Sequence, residues 1–196
     1  MTSAPDGNPA APRTADGGRT GDGEFLVRRL EERDLPALEW NGEFLHFRNL
    51  FRQAYEDMRL GTRWLLVMEH RPSGDIVGQI FIQWNSNDPR FADGRRRGYL
   101  YSLRVKLAFQ RRGLGTRLID AAEEELRQRG MDTASIGVEK DNRDARSLYE
   151  RQGYRIIAED PGLWSYTDHL GRRQEVSEPA WLMEKKLSWR TGADGG

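Results

Sequence analysis

Tyr99-Leu-Tyr-Ser-Leu-Arg-Val-Lys-Leu-Ala-Phe-Gln-Arg-Arg-Gly-Leu-Gly-Thr116 reads as a strand that empties into a glycine-bearing turn, and an amphipathic helix follows at once. In that helix Leu114, Leu118, Ile119, Ala122 and Leu126 share one face, and Gly130 marks its end. A strand–turn–helix of this kind points several backbone N–H groups outward at the positive end of the helix. Phosphate oxygens fit such a place without calling on any one side chain. Gly113 and Gly115 let the backbone come close to a pyrophosphate, and Arg111, Arg112 and Arg117 add charge around it. There is no Gly-Lys-Ser/Thr after the turn and no full G-x-G-x-x-G, which argues against a nucleotide-binding α/β protein.

A second segment sharpens the first. Asn142-Arg-Asp-Ala-Arg-Ser-Leu-Tyr-Glu-Arg-Gln-Gly-Tyr154 follows another strand-like run, Ala134-Ser-Ile-Gly-Val138. Together the two segments resemble the GNAT acyltransferase superfamily, marked by [QR]-x-x-G-x-[GA] and then N-x-x-A-x-x-L-Y-x-x-x-G-[FY]. Gln110, Gly113 and Gly115 fill the first pattern. Asn142, Ala145, Leu148, Tyr149, Gly153 and Tyr154 fill the second. Two partial motifs in the right order, each between the right element types, are far more specific than either alone.

The resemblance implies a GNAT fold of the α/β (α+β) class over residues 24–187: a mixed, mostly antiparallel sheet with splayed strands, flanked by about four helices. It implies acetyl-CoA or another acyl-CoA as cosubstrate and a primary amine of a small molecule, peptide or protein as acceptor. The pyrophosphate would lie on the backbone of Arg111, Arg112, Gly113, Leu114, Gly115 and Thr116. The pantetheine arm would run along Leu103, Arg104 and Val105, with Asn142 and Tyr149 also touching the cofactor. Tyr149 would serve as the acid for the departing thiol, and a main-chain N–H near Val105 would polarise the thioester carbonyl. The family often has proline two residues after this valine, where the chain has Leu107. Two positions familiar for a general base carry none: Tyr99 starts the strand before the pyrophosphate turn, and Gly137 stands five residues ahead of Asn142. Glu43, His46 and Tyr101 are candidates by location, and a water chain is an equal alternative. A non-catalytic acyl-CoA-binding regulatory module on the same fold is the other class of function left open, and a homodimer is an open question.

Composition narrows the classes further. Lysine plus arginine equals aspartate plus glutamate at 31 each in 196 residues, so no net field draws nucleic acid or an anionic membrane. With no cysteine there is no disulfide framework, no thiolate nucleophile and no cysteine zinc site. The three histidines, His46, His70 and His169, are far apart, so no metal is expected. No apolar run has the length of a membrane helix, and the start lacks the apolar stretch of a signal peptide, so a cytoplasmic protein is expected. Residues 1–23 are rich in Gly, Pro, Ala, Asp and Thr and read as a disordered tail, and residues 188–196 as a shorter one.

Between the tails, a first strand is expected over 24–30 and a helix capped by Asp34. An aromatic stripe follows at Trp40, Phe44, Phe47, Phe51 and Tyr55, which Asn41-Gly42 divides. That stripe reads as core, with its N-terminal end a candidate wall for an acceptor pocket. Strands over 62–69 and 76–84 flank a Pro-Ser-Gly-Asp turn. The long connection 160–179, with Trp164, Tyr166 and His169, is either a substrate loop or an extended hairpin turning at 168–171. The link 85–98 carries Arg90, Arg95, Arg96 and Arg97; it is expected at the end of the strand away from the pyrophosphate turn, bordering the acceptor entrance.

Overall fold

The computed structural model describes residues 23–188, so both expected tails, apart from Gly23 and Ser188, lie outside the described residues. The chain runs β1 (Phe25–Arg29), two 3-10 segments (Glu32–Gly42 and Leu45–Phe47), α1 (Arg48–Arg59), β2 (Arg63–His70), β3 (Asp75–Gln83) and β4 (Arg97–Val105). A short 3-10 turn (Leu107–Phe109) leads to α2 (Leu114–Gln128), β5 (Thr133–Glu139) and α3 (Arg143–Arg151). Four strands close the order: β6 (Arg155–Asp160), β7 (Leu163–Thr167), β8 (Arg173–Ser177) and β9 (Ala180–Lys186). Seven strands form one sheet in the order β1-β2-β3-β4-β5-β9-β6, and β7-β8 is a separate hairpin. Every pairing in the sheet is antiparallel except β4 with β5.

Both faces of the sheet are covered, which is why β2 reads as a continuous apolar run and not as an alternation. Leu66, Met68, Ile80, Ile82, Leu100, Ala134 and Ile136 turn toward α2 and α3, joining Leu118, Ile119, Ala122 and Leu126. Leu65, Val67 and Phe81 turn the other way, toward Leu38, Phe51 and Ala54 of the first 3-10 segment and α1. Gly98 is needed where α2 presses hardest: a Cβ there would run into the Leu126 side chain.

The first helix differs from expectation in type and in cap. Asp34 is not the cap but sits three residues beyond it, where its carboxylate accepts from the Glu31 amide at 2.8 Å. Arg28 grips the same carboxylate with two hydrogen bonds of 2.6 and 2.9 Å and donates to Glu69 at 2.7 Å. The aromatic stripe is broken earlier than Asn41-Gly42 alone would set it: Trp40 and Asn41 both take left-handed backbone, with φ of 45° and 58°.

The link 85–98 folds back on itself through a bridge between Asn85 and Asp93. The Asp93 carboxylate accepts from the amides of Arg95, Arg96 and Arg97. Arg96 pairs with Asp132, and Arg97 with Glu184 at 2.9 Å. Arg90 pairs with Asp88 at 2.6 Å. The link therefore stands where β4 and β5 are held together, and three of its arginines are committed to carboxylates of the fold. Three of the arginines expected to meet an acceptor are thus already engaged within the fold. The connection 160–179 is the hairpin alternative, with Asp168 tying its turn by accepting from the amides of Leu170 and Arg172.

Candidate functional site

The parallel register of β4 and β5 runs from Arg97↔Thr133 to Leu100↔Ile136 and stops there. Beyond it β4 stays paired with β3 as far as Val105, and β5 stays paired with β9 as far as Glu139. The two strands therefore part, and residues 101–105 lose a strand neighbour on the β5 side. The cause is local. Ser102 has a φ of 55°, and the β3–β4 register slips between Gln79 and Phe81. This is a bulge, which bends a strand and re-aims its side chains. A hydrogen bond from the Gln79 amide to the Ser102 hydroxyl, at 3.0 Å, fastens it.

The turn after β4 keeps its amides free. Arg111 and Gly113 take left-handed backbone, φ 59° and 77°, and swing the chain into α2. Among the described residues, none of the amides of Arg111, Arg112, Gly113, Leu114, Gly115 and Thr116 donates to a protein acceptor; the first amide that does is that of Arg117, to the Gly113 carbonyl. Six successive amides without a protein acceptor thus lead into the N-terminus of the 15-residue α2, where the helix dipole favours negative charge. Two of the three nearby arginines are engaged within the fold. Arg112 pairs with Glu24 at 2.7 Å and lies over the rings of Phe25 and Phe109. Arg117 donates to the Phe25 carbonyl. Gly115 also serves a different end from Gly113: a Cβ on it would stand 3.3 Å from the Leu148 side chain, so it lets α2 and α3 approach each other.

Across the splay, Asn142 caps α3, its side-chain oxygen accepting from the Ala145 amide at 3.0 Å. Tyr149 projects from α3 into the core layer and is 5% exposed. Its hydroxyl makes no hydrogen bond among the described residues, and burial raises its pKa above the ordinary phenol value. The neighbouring Tyr154 behaves differently: its hydroxyl donates to Glu123 at 3.0 Å, and Glu123 is held by Lys185 at 2.8 Å. That buried cluster is structural and had no signal in the sequence.

The two positions without a familiar base face each other. A Cβ on Gly137 would lie 3.1 Å from the Tyr99 hydroxyl, so the tyrosine occupies the space beside the glycine just where the strands part. Tyr99 stacks on Tyr101 with ring centroids 5.5 Å apart, and the Tyr101 hydroxyl accepts from Arg63 at 2.8 Å. Burial raises the pKa of both tyrosines, which makes Tyr101 a poor base. Glu43 is exposed, and His46 lies against Phe47 with centroids 4.1 Å apart. Glu139, at the open end of β5, was not singled out from sequence. Burial first, then the carboxylates of Glu178 and Asp141, raise its pKa.

On the sheet face away from α2, the side chain of Arg104 lies over Phe44 and Phe47, 4.1 and 5.2 Å from their ring centroids. Phe47 in turn meets Trp164 and Tyr166 of the hairpin, at 6.2 and 5.0 Å. Asn49 of α1 donates to the Asp168 carbonyl and fastens the hairpin turn to this layer. Cavities of about 430 and 500 Å³ lie elsewhere, one on the hairpin and one between the first 3-10 segment and the β2–β3 turn. Neither is lined by residues of the amide turn or by Tyr149. Among the described residues no group of His, Asp and Glu is placed to hold a metal ion, and no helix is long and apolar enough to cross a membrane.

Residues 27–154 match the acetyltransferase (GNAT) family. The chain is 36% identical over 125 residues to a mycothiol acetyltransferase of Propionibacterium freudenreichii, covering 61% of this chain and 38% of that protein. It thus spans about two fifths of the length of this curated relative. The N-acetyltransferase YhfO of Bacillus subtilis is 29% identical over 150 residues, 71% of this chain and 94% of its own. Among solved structures, the acetyltransferase YncA of Salmonella typhimurium, solved with acetyl-CoA, superposes with a TM-score of 0.61 at 21% identity over 88% of this chain and 99% of that one.

Proposed function

Because the chain belongs to the acetyltransferase (GNAT) family, we propose that it is an N-acetyltransferase that moves an acetyl group from acetyl-CoA to a primary amine of a small molecule or peptide. The observation that carries this reading is the run of six unused amides at residues 111–116, placed directly after the strand edge that β5 leaves free. The amides suit a pyrophosphate. The open edge of Leu103, Arg104 and Val105 suits the amide groups of pantetheine, which would add to β4 like part of a strand. The second amide hydrogen donor of this half is Asn142: its oxygen is engaged in the cap, leaving the side-chain nitrogen for a ligand.

When bound, acetyl-CoA supplies a thioester whose carbonyl carbon accepts an amine and whose sulfur departs. Tyr149 keeps its proton on the phenol oxygen and presents it toward the splay. A phenol of pKa about 10 giving up its proton to a thiolate of pKa about 8.5 is uphill by roughly 2 kcal/mol. Burial raises the phenol further, so the role of Tyr149 is mainly to donate a strong hydrogen bond to the sulfur as charge gathers there. Glu139, whose affinity for a proton is raised, is the carboxylate we favour for taking the proton of the amine, directly or through water. The unpartnered Tyr149 hydroxyl supports catalysis over a purely regulatory module. Dependence on acetyl-CoA, an intracellular metabolite, supports a cytoplasmic setting.

The test is release of CoA thiol from acetyl-CoA over a panel of amines, amino acids, peptides and aminoglycosides, with calorimetry of acetyl-CoA binding alongside. Binding with amine-dependent thiol release is expected. Binding without release from any acceptor would favour the regulatory module, and no binding would remove both.

A further inference from the structure

Arg104 is unusual among the shielded arginines of this fold. Arg28, Arg97 and Arg127 have side chains 17–20% exposed, and each is paired with a carboxylate: Asp34, Glu184 and Glu123 respectively. The guanidinium of Arg104 makes no hydrogen bond and no ion pair among the described residues, and its Nη1 is fully buried without a partner. Burial pulls its pKa down to about 10, although Glu43 and Glu178 lie near enough to oppose the shift. A half-buried guanidinium with one nitrogen shut away from any partner costs stability and persists where something else requires it. Arginine presents a planar fork of donors that matches a carboxylate, and an aromatic floor holds that fork in place.

Its position supplies the reason. Leu103 and Val105 pack toward the α2 layer, so the side chain between them emerges on the opposite face, into the layer of Phe44, Phe47, Trp164 and Tyr166. It does so within the stretch of β4 that β5 has left, so the fork stands beside the place where acyl transfer would occur, but on the side of the sheet away from the amide turn. The cofactor phosphates and this guanidinium belong to different faces.

We propose that Arg104 is a specificity residue for the acceptor: it binds a carboxylate carried by a small primary amine whose apolar or aromatic body lies against Phe44, Phe47 and Tyr166. The acceptor class is therefore an amino acid or short peptide rather than a polyamine or aminoglycoside. This rests on the reading of the chain as an N-acetyltransferase. Glu43 and Glu178, near enough to act on the guanidinium without pairing with it, and Glu139, acted on by Glu178, are carboxylates suited to the ammonium end of the same molecule near the splay.

The test uses matched acceptors that differ only in the carboxylate: phenylalanine with phenethylamine, tryptophan with tryptamine, leucine with isopentylamine. In the native enzyme the carboxylated member should have the higher kcat/KM by about 10- to 100-fold, the worth of a charge-assisted hydrogen bond. Arg104→Met should raise KM for the carboxylated member by a similar factor and leave the other member within about threefold. Arg104→Lys, which keeps the charge without the fork, should fall between them. The pantetheine contact assigned to residue 104 is to its main chain, which the substitution keeps, so the dissociation constant for acetyl-CoA should stay within about threefold of native. A binding arm separates this proposal from the activity itself: calorimetry of N-acetylphenylalanine against N-acetylphenethylamine, each titrated into the CoA-loaded protein. If no amine is acetylated but the carboxylated ligand alone binds, and Arg104→Met abolishes that binding, the pocket stands and the activity falls. Equal use of both members by the native enzyme overturns the proposal. So does failure of both N-acetyl ligands to distinguish native from variant, or a loss of acetyl-CoA affinity in Arg104→Met.

Discussion

Replacing Tyr149 by phenylalanine separates an acid from a packing aromatic, because the two roles predict different outcomes in two measurements. The ring is 5% exposed and packed with Tyr154 at 6.1 Å between centroids, and phenylalanine keeps all of that. The hydroxyl has no hydrogen-bond partner among the described residues and is not among the fully buried polar atoms, so its removal forfeits no contact of the fold. In a domain of this size each kcal/mol moves the melting temperature by roughly 2–4 °C. The variant should therefore melt within a few degrees of the native temperature. Turnover should fall. A charge-assisted hydrogen bond to the departing sulfur is worth about 1.5–3 kcal/mol, and a positioned acid up to a few powers of ten. The expected loss is about 10- to 1000-fold in the single-turnover rate of thiol release at saturating acetyl-CoA, with the acetyl-CoA dissociation constant within about threefold of native. Single-turnover conditions keep slow product release from hiding the effect. A rate within a factor of two of native, with chemistry shown to limit it, would refute the assignment of Tyr149, and a melting temperature lowered by more than a few degrees would refute the account of its hydroxyl.

Gly113→Val should weaken acetyl-CoA binding by at least about tenfold in calorimetry, because a branched residue at φ 77° costs about 1–2 kcal/mol and displaces the amides; its Cβ meets nothing within 4 Å, so the fold should survive. Gly98→Ala should destabilise by about 1–3 kcal/mol in urea unfolding without altering CoA affinity, since its methyl group would collide with Leu126. Tyr99, Tyr101, Tyr149 and Tyr154 all have pKa values raised by burial, so the folded state holds more protons than the unfolded chain once pH passes about 10. Stability is then fully present below pH 10 and should fall above it, by up to about 1.4 kcal/mol per pH unit for each tyrosine; absorbance at the tyrosinate band should rise together with loss of the circular dichroism signal. Ionisation of more than two of the six tyrosines in a still-folded protein would contradict this.

The half of the site made of backbone was legible in the sequence because its requirements are local. Gly113 announces a left-handed turn, Asn142 announces a cap, and the run from Leu114 to Leu126 announces the helix whose end holds the free amides. Leu148 and Gly115 belong to different motifs, yet they meet: the leucine packs where a Cβ on the glycine would be tight. Their joint presence in sequence is a packing constraint between α2 and α3 as much as a ligand constraint. The pairing of the arginines of the 85–98 link was not legible, for a physical reason. A sequence displays their charge but not their partners, and Asp132 and Glu184, which engage Arg96 and Arg97, lie on elements far along the chain.

Arg104 was legible only as part of the pantetheine edge, and the direction of its side chain was not, for a subtler reason that joins the two halves of the site. A regular strand alternates its faces with a period of two, so Leu100, Ser102 and Arg104 would share a face, and Leu103 would oppose Leu100. In the structure Leu100, Leu103 and Val105 all turn toward the α2 layer, and Arg104 turns with Tyr101 toward the α1 layer. The extra residue at the Ser102 bulge shifts the parity. Read without the bulge, Arg104 would be a cofactor-side residue; read with it, the side chain belongs to the α1 face, over Phe44 and Phe47, while its main chain still lies along the open edge of β4. The same irregularity marks the place where β4 and β5 part. One bulge therefore opens the edge on which a pantetheine arm would lie and sends an unpaired cation to the opposite face, so a change that straightens the strand at Ser102 would be expected to damage both halves of the site at once.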